Sequence, residues 1–327
     1  MSNRAVAVGV GLARVLAHCG GSPAAAVDHL AGAIASAPED PEPYVVLAEL
    51  WKDKRSELAE VVRNGDSLRT VLARSYISFL EDDMDDAALA IGSVTGARPD
   101  IAWAEAPWFS DERFLGGVSA DAMAEAAMRT MDYGHGLDTD SMRERFRPWF
   151  DAIDAVAARR PLPEALAKMA ILLRACGLID ASFALCDRAD SVERLMLTEV
   201  VRAGTWRQLG DREQTAAAFE RALALEPANW SLYLDLADVR AEQGDFTAAV
   251  LLIEQGLKHE PTELTLRAAG AAYRARLTGS PAELSELIEL APNLPNDSYR
   301  DVLIDHACAG PALPAGLVAA ARRIQNS

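Results

Sequence analysis

Residues 205–229 read TWRQLGDREQTAAAFERALALEPAN, and residues 239–263 read VRAEQGDFTAAVLLIEQGLKHEPTE. Gly210 and Gly244 are 34 residues apart, and so are Pro227 and Pro261. In both segments a Gly-Asp pair breaks one helical pattern and opens the next. Glycine lets the chain leave a helix with positive φ. Asp211 or Asp245 can then cap the following helix. Ala222 and Gly256 occupy the same place in the second helix, where a small residue lets neighbouring helices approach. Proline ends that helix because it cannot donate the next hydrogen bond. An earlier copy carries Gly177 and Ala189, each 33 residues before Gly210 and Ala222. Each copy is a pair of helices, and neither helix can bury its apolar face without a neighbouring copy.

A period of about 34 residues with these marks resembles the tetratricopeptide repeat. The resemblance is close over 163–263 and looser over 4–99 and 264–297. It implies an all-α chain, a right-handed α/α superhelix (a solenoid) with a central helical insert that does not repeat. Degenerate helix pairs are expected over 1–99, an aromatic-rich insert over 100–160, repeats over 161–297 and capping helices over 298–327. Within 1–99 the periodicity predicts helices at 4–18 and 23–36, 42–53 and 56–63, and 67–80 and 85–94. In the insert it predicts helices at 120–131 and 141–158.

Composition agrees with helix throughout. Of 327 residues, half are hydrophobic, and alanine is abundant. The formal net charge of −17 argues against nucleic acid as a partner, because a phosphate backbone needs clustered Lys and Arg. Only four Lys stand against 28 Arg, a bias suggesting a GC-rich bacterial genome. Cys19, Cys176, Cys186 and Cys308 form no C-x-x-C pair, so no metal site is expected and free thiols in a reducing cytoplasm are the default. Arg4 precedes an apolar run over 5–13, and Leu16-Ala17-His18-Cys19 faintly resembles a lipoprotein cleavage box. Arg14 interrupts that run, and His18 stands where a small residue belongs. A buried first helix is the better account, and the run is too short to span a bilayer.

No phosphate-binding glycine loop, G-x-S-x-G or H-E-x-x-H occurs, so no enzyme activity and no cofactor are expected. His135, flanked by Gly134 and Gly136, is the one histidine in a suggestive loop; a solvated loop residue is its ordinary reading. Binding is better supported. In tetratricopeptide proteins the first helices of successive repeats line a concave groove. By that resemblance Lys168, Ile171 and Arg174 face it from one copy, Val200 and Arg207 from the next, and Leu234 and Asp238 from the third. Arg174 and Arg207, about one repeat apart, can hold two carboxylates of a bound chain. Asp235, Asp238 and Glu242 oppose them, so the groove lacks the all-basic clamp of the subclass that takes acidic C-terminal tails. A protein or peptide of mixed character, or a partner helix, fits it better.

Residues 100–160 break the period and hold eight of the chain's 20 aromatics. Phe146, Trp149 and Phe150 share a helical face and suit a private core. Trp103, Trp108 and Phe109, on a segment bearing Pro107, suit either that core or a ligand pocket. The reading is therefore a cytoplasmic adaptor that binds protein in its groove. The alternatives are a signalling-peptide or small-molecule sensor with its pocket near the aromatic insert, and an accessory subunit of an enzyme complex.

Overall fold

The computed structural model describes residues 2–18, 22–65, 67–134, 136–159 and 161–325. Every regular element among them is a helix. Cys19, His135 and the Gly20-Gly21 turn lie outside the described residues. The chain divides into two compact units, residues 1–194 and 195–327. The division falls inside the stretch expected to form one repeat block over 161–297, after its first copy.

The first unit holds α1 (Ser2–His18), α2 (Pro23–Ser36), α3 (Pro41–Asn64), α4 (Leu68–Leu80), α5 (Met84–Ala97), α6 (Glu112–Gly117), α7 (Ala120–Arg129), α8 (Asp140–Arg159), α9 (Pro163–Ala175) and α10 (Ile179–Val192). A 3-10 turn at Trp103–Glu105 precedes α6. Helices α1 and α2, α4 and α5, and α9 and α10 each pack closely as consecutive pairs, while α5 and α9 both pack on α7. The sequence expectation of two helices at 42–53 and 56–63 is corrected here: α3 runs through both, with its only non-helical backbone at Lys54 (φ −130, ψ 33). No proline or glycine interrupts 44–64, so the residues that stop a helix are missing and the chain bends instead of ending.

The second unit holds α11 (Met196–Gln208), α12 (Arg212–Leu225), α13 (Trp230–Glu242), α14 (Phe246–His259), α15 (Leu264–Thr278), α16 (Pro281–Leu290), α17 (Asp297–Cys308) and α18 (Ala315–Gln325). Pairs α11–α12, α13–α14 and α15–α16 pack internally, then each on the next. The turns explain the 34-residue marks. Gly210 and Gly244 have φ of +76 and +83. Their N–H groups reach the carbonyls of Arg207 and Ala241, and the following Asp211 and Asp245 N–H groups reach Trp206 and Arg240. These bonds satisfy carbonyls that the helix end leaves open. The Asp211 carboxylate then accepts from the Gln214 N–H at 3.0 Å, and Asp245 from Ala248 at 2.9 Å. Gly256 sits where a Cβ would lie 3.1 Å from Leu266 and 3.2 Å from Tyr233. The small residue of the motif is thus a packing requirement between α13, α14 and α15.

Candidate functional site

Along α13, Ser231, Leu234, Asp235, Asp238 and Glu242 recur at helical spacing and share one face. Ser231, Leu234, Asp235 and Asp238 are partly buried and Glu242 is exposed. The residues between them, Leu232, Leu236 and Val239, are buried against α11 and α12. The polar face is therefore what remains after α13 has packed, and it is joined to the first helices of the neighbouring pairs.

On one side, the Arg207 guanidinium of α11 lies 3.5 Å from Glu242 and 5.9 Å from the Phe219 ring centroid. On the other side, Asp238 Oδ1 accepts from Tyr273 of α15 at 2.5 Å and from Tyr299 of α17 at 2.9 Å. One carboxylate oxygen thus ties three helices of different pairs. Burial pushes the Asp238 carboxyl up to about 6, against the lowering pull of both phenols. Burial and the adjacent carboxylate raise both tyrosines above their ordinary range, so they remain donors. Burial also raises Asp235, which Arg207 partly offsets. Among the described residues Asp235 has no hydrogen bond and no ion pair.

An aromatic border follows. Phe246, Tyr273 and His306 meet with ring centroids 5.4 to 6.0 Å apart, and the Arg276 guanidinium stands 5.3 Å from the Phe246 centroid. Burial, then the charge of Arg276, holds His306 below the usual imidazole range. Tyr273, Tyr299 and His306 escaped the sequence reading. Their signal was the period itself: Tyr273 lies 35 residues after Asp238, but Gly279-Ser280 stands after α15 where the Gly-Asp mark belongs.

Of the residues expected in the groove, Val200, Arg207, Leu234 and Asp238 lie in the second unit. Val200 packs on the core between α11, α12 and α13, and Leu234 on the core of α13 to α18. Lys168, Ile171 and Arg174 lie in the first unit, on α9, each partly buried. Lys168 pairs with Glu164 of its own helix at 2.8 Å. Burial lowers the Arg174 guanidinium below its ordinary range.

Trp103, Trp108 and Phe109 are buried, with exposures of 3%, 4% and 0%. Phe109 meets Trp149 at 4.8 Å and Phe114 at 5.0 Å between ring centroids, and Trp108 meets Phe79 at 5.5 Å. The Trp103 indole N–H donates to the Arg98 carbonyl at 2.8 Å. Trp108 keeps one edge on a recess of 240 Å³ that it shares with Tyr44, Tyr76 and Phe79. No described helix is long and apolar enough to cross a membrane. Among the described residues no group of three or more His, Cys, Asp or Glu is placed to hold a metal ion.

Residues 207–273 match the family model of a tetratricopeptide repeat. No curated protein matches the chain. Among solved structures, a tetratricopeptide repeat protein from Parabacteroides merdae is similar at 11% identity, covering 99% of this chain and 100% of that one, with a TM-score of 0.41. The MamA protein is similar at 14% identity over 55% of this chain and 91% of its own, with a TM-score of 0.35. The Cut9–Hcn1 hetero-tetramer of the APC/C contributes a chain at 14% identity, covering 86% of this chain and 52% of that one, with a TM-score of 0.39.

Proposed function

We propose that this tetratricopeptide-repeat chain is a protein-binding scaffold, and that the face of α11, α13, α15 and α17 in the second unit receives a segment of its partner. The observation that carries this reading is Asp235. Its carboxyl is partly withdrawn from water yet lacks a hydrogen bond and an ion pair among the described residues. Arg207, whose charge acts on it, is engaged with Glu242 at 3.5 Å. A desolvated carboxylate without a partner gains most from a cation brought by a ligand. The partner segment therefore presents Lys or Arg to Asp235 and Glu242, and apolar or aromatic side chains to Leu234 and the Phe246–His306 border. The free buried thiol of Cys176 supports a reducing compartment such as the cytoplasm.

The test is selection of a displayed random-peptide library on the purified full chain. Enriched peptides should carry a basic residue next to apolar ones. Asp235→Asn combined with Glu242→Gln should weaken the selected peptides at least about tenfold while the chain keeps its fold. A library that yields no binder, or binders indifferent to both substitutions, removes this face as the site.

A further inference from the structure

Helix α1 is apolar on two sides. Val6, Val10 and Ala13 are buried against α2 and α3. On another side Val8, Leu12 and Val15 are 55%, 44% and 58% exposed, and Ala5 is exposed in line with them. The spacing from Ala5 to Val8, Leu12 and Val15 is three, four and three, the a/d spacing by which one helix seats against another. A surface helix ordinarily presents one apolar stripe and a polar remainder. Beside this second stripe runs a groove of 590 Å³ between α1 and α2, where Gly32 offers open space.

We propose that this face is the interface of a two-fold dimer, occupied by the same face of a second copy with the two α1 helices antiparallel. Two features of the face select that occupant. First, the stripe is symmetric about Val10: Val8 and Leu12 lie two residues to either side, and Ala5 and Val15 lie five. An antiparallel copy therefore sets Val8 against Leu12 and Ala5 against Val15, in both directions at once, as an isologous contact requires. Second, the charges are self-complementary under the same operation. Gly9 lies against His29 and Ala33, which fixes the register of α1 beside α2. In an antiparallel pair Asp28 then flanks the C-terminal half of α1, the half that receives the N-terminus of the second copy. Arg4 stands at that N-terminus. Arg4 and Asp28 are both exposed, and neither forms an ion pair among the described residues. Each can meet the other across the two-fold axis. Arg14, also near the stripe, is already paired with Glu42 at 3.3 Å. Arg4 and Arg69 line the groove beside Asp28, and it is the chain's net charge of −17 that weighs against an anionic lipid surface.

Sedimentation velocity of the full chain tests this. Wild type should sediment at twice the 35.1 kDa chain mass at micromolar concentration. Leu12→Glu, and separately Val8→Glu, should weaken the dimer at least about tenfold with little change in melting temperature, since each side chain faces water in the single chain. Arg4→Asp or Asp28→Arg alone should weaken it, and the double exchange Arg4→Asp/Asp28→Arg should restore it. That restoration decides the matter if an apolar variant also lowers melting, because the exchange removes no apolar group. A wild type that stays monomeric at every concentration overturns the proposal. So does a dimer untouched by Leu12→Glu. A monomer that co-sediments with phosphatidylglycerol vesicles, and loses them on Leu12→Glu, overturns it in favour of lipid.

Discussion

Asp238 accepts hydrogen bonds from Tyr273 and Tyr299, yet burial still pushes its carboxyl from 3.8 up to about 6. Between those values the folded chain binds more protons than the unfolded one. The stability that Asp238 contributes is therefore fully present below 3.8 and is lost as pH rises through 6. A shift of about two units corresponds to roughly 3 kcal/mol. Asp238→Asn keeps the accepting oxygen and removes the charge. Urea denaturation between pH 4 and 7, as about the range that brackets this shift, should show the variant gaining on wild type by roughly 2–3 kcal/mol as pH rises. A difference that does not change with pH would mean Asp238 is solvated. Above that range the carboxylate is charged, and Tyr273→Phe or Tyr299→Phe should each cost about 1.5–3 kcal/mol by removing a bond to it. Asp238 was legible in the sequence because its register follows from Gly244. Its partners were not, since they come from pairs whose turn residues have diverged, and only the fold sets three helices of different pairs around one oxygen.

At the scale of the helix pair, the turn glycines are the sharpest test. Gly210 and Gly244 adopt positive φ, and a Cβ at either would meet nothing within 4 Å. The cost of Gly→Ala there is thus backbone strain alone, about 1–2 kcal/mol, and Asn should cost less. Chemical denaturation of Gly210→Ala and Gly210→Asn checks the order; equal stabilities would show that the turn rearranges. Gly256 is the contrasting case. Gly256→Val forces branched methyls into Leu266 and Tyr233, and should cost about 1–3 kcal/mol as overpacking. An unchanged midpoint for Gly256→Val would mean α13, α14 and α15 can separate freely. Helix pairs over 163–263 were readable because Gly, Asp and Pro mark their ends and a small residue recurs within them. The insert was harder: α6 is six residues long, too short for a periodic pattern, and the turn at Trp103–Glu105 is shorter still. The burial of Trp108 and Phe109 likewise depends on Phe79 and Trp149, which are distant in sequence.

At the scale of the molecule, the second unit has its own core, running from Ala237 on α13 to Ala321 on α18. A fragment of residues 195–327 should therefore be helical and unfold cooperatively; a flat, non-cooperative melt would show that it depends on residues 1–194. The aromatic core of the first unit offers a way to watch the two units separately. Trp51, Trp103, Trp108 and Trp149 are buried there, and among the described residues the Trp149 indole N–H is the one buried side-chain polar atom without a hydrogen bond. Trp206 and Trp230 in the second unit are only partly buried. Indole emission shifts to the red when water reaches the ring, so the fluorescence maximum reports mainly on residues 1–194, whereas the far-ultraviolet dichroism signal weighs every helix alike. If the units unfold at different denaturant concentrations, the two optical traces will separate, and the chain's own tryptophans will tell them apart without any added dye.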